Sequence, residues 1–468
     1  MGSELSALNT IFTEAYYWIT VVMMFLIHAG FCVYEVGATR RKNVLHTLMK
    51  NTMLIPLVTV TFFIFGWWIY FALPNVPFAS GGFSDAPWAV PWAAEMAPNM
   101  GDHINGVFWA AFLLFSWTTA SIVSGAVIER IKTGAFLIFA VLIGSFTWIL
   151  DAAWGWHPGG WMVQILGYHD AYASGVVHAI AGGSALAIVM VLGPRIGKFG
   201  PNGEVRTIKP HNPWLVTVGL FLIFTGFWGF YAACNVPIIN LGTDEAALFT
   251  ATNIYLTPTT LSGITFNFLL SFSGGLMAAY LVSRGNPFWT YSGGLGGIIA
   301  ASAGNDLYHP IQSFVIGGAG VVFMYAVHHW VERRFKIDDA VGAIAVHGYA
   351  GFFGVVIAGF MLWGYPAATP MFGDYSPRPE GIGMFSTEDG SPMINPLGNF
   401  IGAIIMFWVL GFIPCYIVAR ILKAFNMLRV PEKVELAGLD THELGDSYPY
   451  YAPQETEFET IERTYAKD

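Results

Sequence analysis

The sequence predicts an all-α membrane protein: eleven transmembrane helices, built as two five-helix inverted repeats plus a final helix. Three observations predict it. Of 468 residues, 55% are hydrophobic and only 11% charged, which is outside the composition of soluble domains. Apolar runs of about 20 residues, the length that crosses a bilayer core, recur from end to end. The basic residues fall in alternate connections between those runs, as they do when one set of loops faces the cytoplasm.

The runs lie at 14–36, 47–72, 106–127, 133–153, 171–193, 214–234, 257–282, 289–304, 309–330, 341–365 and 396–422. The eighth is short and rich in glycine. Arg40, Arg41 and Lys42 follow the first run, and Arg130 and Lys132 follow the third. Arg195, Lys198, Arg206 and Lys209 follow the fifth, Arg284 the seventh, and Arg333, Arg334 and Lys336 the ninth. Arg378 alone falls in a connection of opposite parity, so 20 of 21 basic residues are assigned to one side. The expectation is an outer N-terminus and an inner C-terminus in a multi-pass protein of the cell membrane. No cleavable signal peptide is expected, because the first 39 residues hold no Lys or Arg.

The outer connections instead carry acids: Asp85, Glu95, Asp102, Asp244, Glu245, Asp306, Asp374, Glu380, Glu388 and Asp389. Such a face either concentrates cations at a mouth or is simply solvated. The net charge of −9 gives no reason to expect a nucleic-acid partner. Cys32, Cys234 and Cys415 have neither disulfide nor metal-site spacing, and no cofactor is implied. Two regions are expected: a membrane domain over 1–424 and a polar cytoplasmic tail over 425–468.

The fifth run contains "HDAYASGVVHAIAGG" and the tenth "DDAVGAIAVHGYAGF". In each, an Asp stands eight residues before a Val-His pair (Asp170 to His178, Asp339 to His347), and a glycine follows the histidine by four, at Gly182 and Gly351. The histidines are 169 residues apart, each in the last span of a five-span block. Five is odd, so the second block enters the membrane from the opposite side. In such inverted repeats a site forms near the midplane, where the halves meet. An intramembrane histidine alone can be a helix–helix hydrogen bond. Two at equivalent positions point to a pathway or proton relay, because ionisable groups in lipid are costly. Facing imidazoles are expected to be neutral or to share one proton, since burial and like charge both oppose full protonation.

With those residues in view, the chain resembles the Amt/Rh ammonium transporter family over nearly its whole length. The resemblance rests on "AGFCVYEVGATRRKNV" (29–44), "FSWTTASIVSGAVIERIK" (115–132), "WHPGGW" followed by "HDAYASGVVH", "GFWGFYAAC" (226–234), "DDAVGAIAVHG" (338–348) and "LRVPEKVELAGLDTHELGD" (428–446). It implies a homotrimer of eleven-span protomers in the lipid membrane, each with a narrow, mostly apolar pore for ammonium or ammonia; methylammonium belongs to the alternative reading as an amine channel. His178 and His347 match the family's paired pore histidines. Phe115 and Phe230 match its aromatic gate. Trp156, with Trp154 as a nearby competitor, matches the tryptophan that receives the cation at the outer mouth, together with Phe115 and the residue at Cys234. Asp170 matches the buried aspartate that supports the entrance. The tail is implied to contact neighbouring protomers and a PII-type regulatory protein.

The chemistry fits such a pore. A bare ammonium ion pays a large desolvation cost in a low-dielectric tube, and neutral ammonia far less. Aromatic faces attract a small cation by roughly 0.5–2 kcal/mol, and two phenylalanines can form a hydrophobic constriction. Departures concentrate at the entrance. Phe227 stands where the family often has Trp, Tyr231 where Asn is frequent, and Cys234 where a Ser is usual; Gly342 replaces a frequent Asp. Three functions are open on sequence: ammonium transport, an ammonium sensor signalling through its tail, and a channel for methylated amines or a neutral gas. None is enzymatic.

Overall fold

The computed structural model describes residues 2–77, 105–237, 251–255, 257–368 and 392–445. Of the acids expected on the outer side, only Asp306 lies within them. Arg378 and the tail beyond 445 lie outside the described residues.

Among the described residues, ten helices are long and apolar enough to cross a membrane. They are α1 (Gly2–Ala38), α2 (Arg41–Ala72), α3 (Asn105–Ala126), α4 (Thr133–Gly155), α5 (Ser174–Leu192), α6 (Pro213–Ala233), α7 (Leu261–Val282), α9 (Pro310–Phe335), α10 (Ile344–Met361) and α11 (Pro396–Ala424). Between α7 and α9 lies α8 (Pro287–Ser302), of 16 residues. At 1.5 Å per residue it rises about 24 Å, short of a core of about 30 Å.

Three helices start three or four residues later than the sequence expectation, each for a local reason, whereas α1 starts earlier, at Gly2 rather than at 14. Residues 171–173 are not helical, because Ala173 has φ +72° and breaks the α5 path. Residues 341–343 precede α10 in the same way, with Gly342 also at φ +72°. Residues 257–260 do not open α7. Pro258–Thr259 pairs as β3 with β2 (Ala251–Asn253), which pairs antiparallel with β1 (Asn235–Pro237). The helix starts only where the Thr260 side chain accepts the Gly263 N–H. Among the described residues this is the one sheet, beside isolated antiparallel bridges such as Ile131 with Arg429.

Helix contact follows small residues, as expected where lipid supplies no hydrophobic drive between helices. α1 and α6 run backbone against backbone. A Cβ on Gly219 would lie 2.4 Å from the Tyr34 nitrogen, and one on Gly30 would lie 2.7 Å from the Gly219 carbonyl. α5 and α10 meet similarly: a Cβ on Gly182 would stand 2.0 Å from the Gly348 Cα, and one on Gly351 would stand 2.2 Å from the Ser174 carbonyl.

The basic end of the bundle is closed by a buried ion cluster. Arg195 forks onto Asp338 at 2.8 and 2.9 Å, and Arg40 reaches Glu129 at 2.8 Å. Burial raises the Glu129 carboxyl, but Arg40 and Arg195 more than offset this and hold it at about 2. Asp338 is likewise held below the usual carboxylate range, with burial overcome by Arg195 and Arg130. The tail segment 428–445 covers this end. Val430 donates its N–H to the Arg130 carbonyl at 3.0 Å, and Asp440 caps α2 by accepting from Leu45 and His46 at 3.1 and 2.8 Å.

Candidate functional site

Both histidines sit in wide π-type turns that open their helices, Ser174–Ala179 for His178 and Ile344–Tyr349 for His347. Such turns rotate side chains out of the regular helical register and are frequent at functional sites. Asp170 sets the first turn. Its carboxylate accepts the N–H groups of Ser174, Gly175 and Val176 at 2.7, 2.7 and 2.9 Å, and the Tyr168 hydroxyl at 3.1 Å. Every donor freed by the broken helix start is thereby satisfied inside the protein.

These turns bring the two imidazoles together, Nδ1 to Nδ1 at 3.0 Å, with ring centroids 5.1 Å apart. Both rings are buried. A bond between two like nitrogens requires one to carry the proton and the other a lone pair. The outward Nε2 atoms are then complementary: one accepts, the other donates. His178 Nε2 has no hydrogen-bond partner among the described residues.

A column of aromatic rings leads to the pair. Trp156 meets Phe115 edge to face at 5.0 Å, and Phe115 meets Phe230 at 4.7 Å and 85°. Phe230 and Phe227 then lie nearly parallel to His178, each at 5.7 Å. Trp156 belongs to this column and Trp154 does not; Trp154 packs on Trp161 at 5.5 Å. The Trp156 indole N–H is spent on the Asp170 carbonyl at 2.8 Å, which ties the column to the turn that places His178.

The remaining sequence candidates flank the column. The Tyr231 ring stacks on Tyr172 at 4.3 Å; its hydroxyl pairs with Ser302 Oγ at 2.7 Å and accepts from Asn305 at 2.9 Å. Tyr231 therefore joins α6 to α8. Cys234 is buried at the end of α6, its thiol donating to the Phe230 carbonyl at 3.4 Å. Asp306 is not a solvated loop acid: it faces the His169 Nε2 at 3.1 Å and accepts from Asn253 at 2.7 Å.

Sequence reasoning passed over Tyr172, Ser302 and Asn305, whose polar atoms are recognisable only once the helices are packed. It also passed over Glu35 and Lys50, which had a signal: a carboxylate and an ammonium inside two apolar runs. Lys50, one of the 20 basic residues expected on one side of the membrane, is fully buried within α2.

The profile of the Ammonium Transporter Family matches residues 15–448. The chain belongs to the ammonium transporter family. It is 31% identical over 462 residues to ammonium transporter Amt2 of Archaeoglobus fulgidus, covering 93% of this chain and 88% of that protein. It is 28% identical over 449 residues to a putative ammonium transporter of Synechocystis, covering 94% and 89%. Among solved structures, the fold superposes on one described as Sensor Amt Protein with a TM-score of 0.75 at 22% identity, covering 94% of this chain and 99% of that one. Saccharomyces cerevisiae Mep2 gives 0.67 at 17% identity, covering 90% and 88%. At these identities the likeness to the solved structures shows the fold.

Proposed function

We propose that this ammonium transporter family member receives ammonium above the Trp156–Phe115–Phe230 column and passes ammonia along the His178–His347 pair, with a proton relayed between the rings. The reading rests above all on the 3.0 Å contact between the two Nδ1 atoms, at repeat-equivalent positions below the column. Deprotonation at the mouth removes most of the desolvation cost, since only the cation is expensive to bury. Phe115 and Phe230 act as the constriction that excludes hydrated ions. The complementary Nε2 atoms offer one acceptor and one donor to ammonia, and exchange of the shared proton gives the charge a route.

The topology that goes with this reading has α8 as a true crossing, the N-terminus outside and the C-terminus inside, with the repeats inverted about the histidine pair. The homotrimer is carried over from the family, as is a PII-type partner on the inner face. Trp156, Cys234 and Phe115 are assigned to cation reception, with Asp170, Phe227 and Tyr231 as entrance support. A second reading, ammonium sensing through the tail, is supported by the dense docking of 428–445 on the basic end. Reconstitution in proteoliposomes separates them: the transport reading expects ammonium uptake and current that both disappear in His178→Ala/His347→Ala. Binding of ammonium without flux in the wild-type protein supports the sensor instead. Methylammonium moved in preference to ammonium points to an amine channel.

A further inference from the structure

Directly beside His347, on the side of the basic end, lies a cavity of about 30 Å³. Its walls are mostly apolar, Phe31, Ile122 and Leu220 among them, and the polar side chains on it are those of Tyr34, Glu35, Ser292 and His347. A volume of this size holds one or two waters when polar partners are present. Gly125 keeps the space open, because a Cβ there would lie 2.5 Å from Val341 Cγ2 and 3.5 Å from Glu35 Oε1.

The Glu35 carboxylate has two unlike oxygens. Oε2 accepts from Ser124 Oγ at 2.6 Å and Asn51 Nδ2 at 2.9 Å, and lies 3.6 Å from Lys50 Nζ. Lys50 is itself anchored to the Ser124 carbonyl at 2.8 Å. Oε1 is buried, lies on the cavity side and has no partner among the described residues. A carboxylate serving only as a counter-ion for Lys50 has no need of an unpartnered oxygen, and leaving one in a buried site is costly. The oxygen is matched instead to something that enters the cavity and donates a hydrogen bond.

We propose that Glu35 is the proton acceptor on the inner side of the histidine pair, an inference that rests on the transport reading above. Ammonium at the mouth gives its proton to the pair and leaves as ammonia; the His347 imidazolium so formed releases a proton from a ring nitrogen, which passes through water in the cavity and leaves the ring neutral. An N–H bond breaks at the imidazole and an O–H bond forms at Glu35 Oε1. The carboxylic acid then yields the proton to emerging ammonia or to inner water, which restores the Glu35–Lys50 pair. Lys50, Asn51 and Ser124 hold Oε2 and so keep Oε1 aimed at the cavity.

The test measures current and ammonia uptake on the same reconstituted vesicles and takes their ratio, for wild type, Glu35→Gln, Glu35→Gln/Lys50→Met and Glu35→Asp. The double variant removes the stranded charge that Glu35→Gln leaves on Lys50. Loss of a proton-transfer group lowers charge moved per ammonia about tenfold or more in both Gln variants, while Glu35→Asp keeps the wild-type ratio. A purely structural role lowers uptake and current in parallel, so an unchanged ratio in the double variant overturns the proposal. A wild-type protein that moves no ammonium overturns the transport reading itself, and is thereby told apart from failure at Glu35.

Discussion

Asp170 and Asp339 stand in the same relation to the two histidine helices: each carboxylate accepts the backbone N–H six residues on, Val176 at 2.9 Å and Ala345 at 3.1 Å. Ala173 and Gly342, three residues after each aspartate, share a φ of +72°. The repeat therefore extends from matching letters to matching backbone geometry. It is not equal in strength. Asp170 accepts three backbone donors, whereas Oδ1 of Asp339 has no hydrogen-bond partner among the described residues.

That inequality predicts unequal damage. Asp170→Ala strands three buried N–H groups and is expected to destabilise by about 3 kcal/mol or more, against about 1 kcal/mol for Asp339→Ala. Thermal unfolding in detergent reads the difference. Equal losses would show that the extra donors at Asp170 contribute nothing.

Gly182 sets the approach of the two halves. A methyl group there meets the Gly348 Cα at 2.0 Å, and backbone on both sides leaves no flexible atom to yield. Gly182→Ala should cost about 1–3 kcal/mol by overpacking, and should reduce uptake although both histidines are intact. Wild-type uptake by this variant would mean that the rings need no such closeness.

Cys234 addresses the altered entrance. Its single weak donor is directed at the Phe230 carbonyl, and sulfur is a poor acceptor. A hydroxyl in its place can make that bond and still accept from a cation. Cys234→Ser is expected to lower the half-saturation concentration for ammonium roughly two- to tenfold, the worth of one hydrogen bond of about 0.5–1.5 kcal/mol. Initial uptake rates across ammonium concentrations give the answer; an unchanged value removes Cys234 from the recruitment site.

The basic end should show acid sensitivity. Glu129 ionises at about 2 in the folded protein against an ordinary value of 4.5. A depressed carboxylate contributes stability that is complete above the unfolded value and fades as pH falls through the folded one. Unfolding temperature is thus expected to drop between about pH 4.5 and 2, and Glu129→Gln should flatten part of that slope. The same variant strands Arg40 and Arg195 and lowers stability at neutral pH, by less than the 3–5 kcal/mol of a fully buried pair because Arg40 is partly exposed. An identical pH slope in the two proteins would assign the acid loss to other carboxylates.

Legibility followed the range of the forces involved. The existence of the spans was readable, because crossing a bilayer demands a run of apolar residues whatever the neighbours are, although α1 begins at Gly2, well ahead of the expected 14. Errors fell where side chains capture backbone: Asp170 and Thr260 delay their helices, and the Thr-Pro-Thr-Thr stretch at 257–260, expected to open a span, instead contributes Pro258–Thr259 as a strand. The column residues were legible by resemblance. Tyr231 was legible as a departure, but its bonds to Ser302 and Asn305 join segments some 70 residues apart, a relation that no local pattern encodes.

The sequence by itself determined the membrane class, the alternation of charge, the repeat and the equivalence of His178 with His347, because periodicity and polarity are properties of single segments. Tertiary structure alone decided that the rings bond through Nδ1, that Trp156 rather than Trp154 joins the column, and that one oxygen of Glu35 is left open beside His347. Those outcomes depend on which small residues let which backbones meet, and packing of that kind is set jointly by helices far apart in the chain.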